Sequence, residues 1–275
     1  MAAVFARHRR SIIVLAVIAV VVIGAGSVFV VLWRRSSAHE ASAGDALRRF
    51  RQSSSTQPAP VSVLRPAAGV YLYRGSGREH LSLPPKSQGQ GPRLPGTVTY
   101  DANGCWTFRI DYSTEHWQTW NYCPRDGGLV ELGGQTFEHW NFVFTSYDSK
   151  STFTCDPASV TIRTDMHPGD EWSQQCRGTS SGTKGEAITS GPYVFVGDEV
   201  VVVGSVRVPA YHFRQQRTIT GSQTGSQTTD LWFDRSTGLP LRNERTETVH
   251  TDTVVGASTY TERGTFQLDS LQPKH

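Results

Sequence analysis

The chain has 275 residues, of which 37% are hydrophobic and 19% charged, with 26 Gly, 14 Pro and a formal net charge of +3. That length suits one sizeable domain with attachments, and the composition excludes both a wholly disordered chain and a multi-span membrane protein. Residues 1–35 hold five Arg and no acid, whereas residues 69–275 carry 18 basic against 22 acidic residues, so the chain lacks the basic body that binding to nucleic-acid phosphates needs.

From Ile12 to Trp33 runs an uncharged apolar segment of 22 residues. At about 1.5 Å per helical residue it spans roughly 33 Å, one crossing of a bilayer. It is longer than the roughly 7–15 apolar residues of a signal peptide, and Trp33-Arg34-Arg35 ends it, so the pattern predicts an uncleaved anchor over 12–33 preceded by a short tail, 1–11. Arg7, Arg9 and Arg10 before the segment are answered by Arg34 and Arg35 after it, and the positive-inside count alone does not orient it. All four Cys lie beyond the segment, which suits an oxidising compartment and places the tail inside and the carboxyl-terminal domain outside the cytoplasmic membrane. No Cys adjoins the apolar run, which excludes lipobox acylation, and the chain has no Asn-x-Ser/Thr acceptor.

Residues 34–68 have the Ser, Ala, Pro and Gln content of a flexible juxtamembrane linker. Ala46, Leu47 and Phe50 stand at helical spacing there, but so few apolar residues predict a fluctuating spacer in preference to a surface helix. From Gly69 onward, short β-branched and aromatic runs alternate with Gly, Pro, Asn and Asp. Strands are predicted near 69–75, 78–83, 96–101, 105–112, 116–123, 135–146, 158–163, 171–177, 193–196, 199–204, 206–220, 227–233, 240–253 and 258–269. Residues 69–275 therefore read as an all-β domain, an antiparallel up-and-down barrel or strongly curved half-barrel that hides its strand edges. The doublet GSQTGSQT at 221–228 reads as a loose hairpin tip.

Cys105 and Cys123 flank a midpoint at residue 114, within a plausible hairpin loop Ser113-Thr114-Glu115, so their sulfurs are predicted to face each other across adjacent strands. Cys155 and Cys176 bracket a second hairpin whose expected turn, Pro168-Gly169, lies off their midpoint, which puts one of the two in a flanking loop. Two disulfides are predicted; zinc prefers closely paired ligands such as C-x-x-C, and none is present.

Gly178-Thr179-Ser180-Ser181-Gly182 fits G-x-S-x-G, but no apolar helix follows, so it reads as a Gly/Ser loop and not as a nucleophile turn. Glu-His-Trp occurs at Glu115-His116-Trp117 and again at Glu138-His139-Trp140. A metal site would need His116 and His139 to converge, yet successive strand residues point to opposite faces, so each triplet offers its His or its Glu to a common point. The expectation is no metal and no cofactor. Asp170-Glu171 and Asp198-Glu199 adjoin turns and read as solvated, and no phosphate-cradling loop or dinucleotide fingerprint occurs. The aromatic load, Trp106, Trp117, Trp120, Trp140, Phe142, Phe144, Phe213 and Trp232 with Trp172, supplies core packing and the candidate lining of an apolar ligand cavity.

The segment Val206-Arg207-Val208-Pro209-Ala210-Tyr211-His212-Phe213, followed by Leu231-Trp232-Phe233-Asp234-Arg235-Ser236-Thr237-Gly238-Leu239-Pro240-Leu241-Arg242, resembles a module of bacterial extracytoplasmic β-proteins. These include curved half-barrels similar to the periplasmic lipoprotein-carrier family and an uncharacterised group of envelope barrels. The resemblance covers residues 199–245 and implies a non-enzymatic protein that encloses lipid or acyl groups. The resulting expectation is a single-pass, membrane-anchored extracytoplasmic binding or envelope-interaction protein with an apolar ligand. A ligand-free structural or sensory partner of a membrane complex, and a metal-assisted hydrolase, are the alternatives.

Overall fold

The computed structural model describes residues 39–53, 64–142, 145–253 and 256–275; the predicted anchor over 12–33 and Phe144 lie outside the described residues. Among the described residues no helix is long and apolar enough to cross a membrane. Among the described residues one helix, α1 (Ala43–Ser53), precedes thirteen strands. They are β1 (Gly69–Ser82), β2 (Pro85–Gln90), β3 (Arg93–Tyr100), β4 (Trp106–Asp111), β5 (His116–Arg125), β6 (Gly128–Asn141), β7 (Ser146–Ile162), β8 (Glu171–Ser180), β9 (Glu186–Val203), β10 (Val206–Gly221), β11 (Thr224–Asp234), β12 (Pro240–Thr253) and β13 (Gly256–Leu268).

Strands adjacent in sequence pair antiparallel, except that β2 and β3 both pair with β1 and not with each other, and β13 returns to β1, with Tyr73 opposite Leu268 and Leu81 opposite Tyr260. β2 and β3 lie on the same edge of β1 in one continuous register, Gln90 opposite Gly77 and Arg93 opposite Arg74, so they act as a single stave interrupted at Gly91-Pro92. The result is a closed barrel of twelve staves, the closed form of the two sheet shapes the sequence allowed. Closure removes the unpaired edge that an open sheet of this size would present. Gly91 is needed at the interruption: its φ is +84°, and a Cβ there would sit 2.3 Å from the carbonyl oxygen of Gly75. Gly238, at φ +72°, makes the predicted turn between β11 and β12, its N–H donating to Asp234 O at 2.8 Å.

Several observed strands extend past their predicted ends. β2, the first half of β7 and residues 186–192 of β9 had no sequence signal, and 193–196 and 199–204 join into one strand. The doublet at 221–228 is mostly strand, because β11 begins at Thr224 and Gly225 pairs with Ile219. β2 and most of the first half of β7 are polar on both faces, which erases the alternation that marks a half-buried strand.

The segment expected to be a spacer contains α1. Ala46 and Phe50 bury against Ala68 and Val70 with Leu47 and Tyr100 beside them, and Arg49 pairs with Asp111 at 2.5 Å. The helix gains enough surface because a barrel wall, not a bilayer, covers its three apolar residues. Ahead of it, the His39 N–H donates to Glu115 Oε2 at 2.8 Å, and the Thr114 N–H donates to His39 O at 2.9 Å.

Both predicted disulfides are formed, Cys105–Cys123 and Cys155–Cys176. Contrary to the expectation of a Cys in a flanking loop, Cys155 and Cys176 both lie in strands, one step beyond the pair Thr154–Arg177. The long β7–β8 connection absorbs the offset of the turn. Replacing both with Ala is expected to cost about 3 kcal/mol in the chain-entropy view and to lower Tm by roughly 6–12 °C. Thermal melting with and without reductant checks this; an unchanged Tm would show the bond to be dispensable.

Candidate functional site

A barrel of about eight strands is just narrow enough for its side chains to fill, whereas twelve staves leave space unless large residues reach across. The two halves of this barrel differ in that respect. The half next to α1 and the β9–β10 turn is packed with aromatics, including Tyr73, Phe108, Phe195, Phe213, Phe233 and Phe266, all 3% exposed or less. In the other half, interior positions hold small hydroxyl residues such as Thr136, Ser149, Ser151 and Ser258. They enclose a cavity of about 1130 Å³ beneath the β1–β2, β6–β7, β8–β9 and β10–β11 connections. Trp120, Trp140, Phe142, Phe153, Val249 and Tyr260 supply its apolar wall.

Where the halves meet, the interior is ionic. The buried carboxylate of Glu79 accepts from Gln88 Nε2 at 2.9 Å and Gln90 Nε2 at 2.7 Å, and pairs with His116 Nδ1 at 2.5 Å. Gln90 Nε2 also donates to Glu262 Oε1 at 2.7 Å, and Glu262 further accepts from the Tyr260 hydroxyl at 3.0 Å and from Arg245. Arg245 reaches on to Gln118 and lies over the Tyr112 ring, which in turn packs on His116 at 4.7 Å. A separate pair, Arg217–Glu131 at 3.3 Å, also faces the cavity. Glu138 and Glu247 line it with no cationic partner among the described residues; Glu138 accepts from Trp140 Nε1 at 3.3 Å and Glu247 from Gln227 Nε2 at 3.4 Å.

Burial would hold the His116 imidazole neutral, but the Glu79 carboxylate outweighs it and lifts His116 to about 9. Burial raises Glu138 to about 7, and it raises Glu247 too, because neither carboxylate has a cation bonded to it. Glu262 moves the other way: burial opposes its charge, but Arg245 and His116 hold it below the usual carboxylate range.

The two Glu-His-Trp triplets divide as strand geometry requires. His116 lies opposite Glu138 across β5 and β6, and both join the interior cluster. His139 is on the other face, bonded to Asp148 and to Asn141 Oδ1 at 3.0 Å, so His116 and His139 do not converge. Ligating atoms of Glu79, His116 and Glu262 lie within 4.8 Å of one another, but donors from Gln90 and Arg245 already occupy these carboxylates, leaving a hydrogen-bonded ion network. The other such group, Glu131 with Cys155 and Cys176, offers no thiolate because the sulfurs are bonded to each other.

Of the aromatic candidates, Trp120, Trp140 and Phe142 line the cavity. Trp106 and Phe213 instead fill the packed half, Trp106 donating from Nε1 to Leu64 O at 3.1 Å. Trp117 stacks on Phe137 and under Arg109, and Trp232 stacks on His212 at 4.1 Å; neither lines the cavity. Bulges shift the register at Asn121/Tyr122 and Trp232/Phe233, so parity could not be counted through these strands from the sequence. Ser180 and Ser181 sit at the β8–β9 turn, where chain continues into β9 and no helix follows, consistent with a Gly/Ser loop. Glu199 is not merely solvated: it accepts from Trp232 Nε1 at 2.7 Å and pairs with His212 Nδ1 at 2.8 Å. Glu79, Arg245, Glu247 and Glu262 went unnoticed in the sequence. The available signal was a charged residue sharing strand parity with interior aromatics, as Glu262 does with Tyr260 and Phe266.

Fold and cavity together define a closed, up-and-down, disulfide-stapled β-barrel with one solid and one hollow half. Neither a family model nor a curated protein matches the chain. Among solved structures, the hypothetical lipoprotein YmcC from Escherichia coli matches at 12% identity over 84% of this chain and 99% of that chain, with a TM-score of 0.32. At that score the likeness carries no inference about what this chain binds or does.

Proposed function

We propose that the chain is a non-enzymatic extracytoplasmic binding protein, anchored by residues 12–33, whose barrel holds an amphiphile. The observation that carries this reading is the hollow half: about 1130 Å³, at or just above the roughly 300–1,000 Å³ of small-molecule sites, with an apolar wall over an ionic floor. A purely apolar occupant would leave the floor's carboxylates desolvated and unmatched, so the expected ligand has a greasy body and a polar head. Two disulfides support an oxidising compartment.

Extraction of the intact membrane protein followed by lipid and native mass spectrometry tests the proposal. A stoichiometric amphiphile is expected, lost in Thr136→Trp, which fills the cavity from β6. A protein that is empty and takes up no single-chain amphiphile would overturn it. A ligand-free docking role draws some support from Val200, Val202 and Val206, large apolar side chains exposed on β9 and β10. Capture of a membrane protein that depends on those valines and not on the cavity would favour that role.

A further inference from the structure

Resting on the cavity reading, we infer that the head group of the occupant is a protonated amine, drawn by the cavity-lining carboxylates Glu138 and Glu247, with Trp140 and Tyr260 beside Glu138. Charge matching carries the argument. Three interior cations already face a carboxylate: His116 with Glu79, Arg245 with Glu262 and Arg217 with Glu131. Glu138 and Glu247 are two further cavity-lining carboxylates, bonded only to an indole N–H and an amide and to no cation among the described residues. An ammonium would supply the missing charge in a place where little water screens it.

Two further observations point to an occupant. Trp140 is fully buried yet lines the cavity, with its ring 6.3 Å from Tyr260 and edge-on to it, giving a cation two aromatic surfaces beside the carboxylates. Arg245, 5% exposed and lining the cavity, has an Nε with no acceptor among the described residues; an ammonium, having only donors, does not satisfy it, so ordered water or an oxygen elsewhere on the occupant completes the floor. Burial keeps Glu138 proton-hungry, and a bound ammonium would displace that proton. The groups acting on Glu138 are His116 from β5, Glu79 from β1, Glu262 and Tyr260 from β13, Tyr147 from β7 and Trp140 on its own strand.

The test is a titration of the full chain, in a detergent too bulky to enter the barrel, with four probes of equal chain length: dodecylammonium, dodecyltrimethylammonium, dodecanol and dodecanoate. Tryptophan fluorescence reports binding. Dodecylammonium is expected to bind at least about tenfold more tightly than dodecanol, and dodecanoate more weakly than either. Glu138→Gln with Glu247→Gln should bring the ammonium and alcohol affinities together while leaving dodecanol unchanged. Because dodecyltrimethylammonium does not titrate, its affinity should rise as pH passes upward through about 7, and should not do so in Glu138→Gln. Equal binding of all four probes, or preference for dodecanoate, overturns the amine assignment and leaves the cavity reading standing. Binding of none overturns both. If the double variant fails to fold, Glu247→Gln alone and the pH series on the parent protein decide.

Discussion

Replacing Arg245 with Met is expected to lower the stability of the barrel by about 3–5 kcal/mol, the loss that follows when one member of a buried ion pair is removed. Arg245 is buried between Glu262 and Gln118, and Glu79, Glu138 and Glu247 all act on the same interior. Without the guanidinium, Glu262 keeps only Gln90 and Tyr260 as donors and loses the cation that offsets its desolvation. At roughly 2–4 °C per kcal/mol for a domain of this size, Tm should fall by about 6–20 °C. A double-mutant cycle with Glu262→Gln isolates the pair: the double variant should recover much of the loss, since it removes both charges together. A Met variant within about 1 kcal/mol of the parent would mean that water, not Arg245, solvates Glu262.

The second large effect is with pH. His116 is raised to about 9 from an ordinary 6.5, so its pairing contributes fully below 6.5 and is lost as pH rises through 9. Glu138 is raised to about 7 from an ordinary 4.5; its neutral form is the one the fold favours, and that contribution is present below 4.5 and lost as pH rises through 7. The two losses run in the same direction, and each is worth up to a few kcal/mol at about 1.4 kcal/mol per pH unit. Glu262, Glu115 and Glu199 are lowered and act oppositely, adding stability that disappears in acid. Stability should therefore peak near pH 4.5 and decline from about pH 4.5 to pH 9. Glu138→Gln should remove the earlier part of that decline and leave the part centred on His116. Denaturation midpoints across the pH range measure both, and a flat profile from neutral to alkaline pH would refute the assignment.

Much of the framework was legible because it depends on local chemistry. Cys105 and Cys123 flank a hairpin short enough for symmetric counting, and the structure joins them. Gly238 was legible because only a glycine-like backbone turns comfortably there. The hollow half was not legible. Its strands, such as Ser146–Thr154 and Thr224–Thr229, are polar toward solvent and place Ser149, Ser151 and Gln227 among the residues facing the cavity, so little alternation announces them. Helix α1 was discounted for a related reason: the value of Ala46 and Phe50 depends on Ala68 and Val70, which lie across a gap in sequence.

By itself, the amino-acid sequence determined that a β-rich, disulfide-stapled body follows an apolar segment, since strand preference, turn chemistry and cysteine spacing act over a few residues. Only the tertiary structure decided that the sheet closes with β13 on β1, and that Glu79, His116, Arg245 and Glu262 meet inside it. The physical reason is that a charged side chain has no partner until distant strands converge, and whether it is a solvated ornament or a buried ionic floor depends on which staves stand opposite.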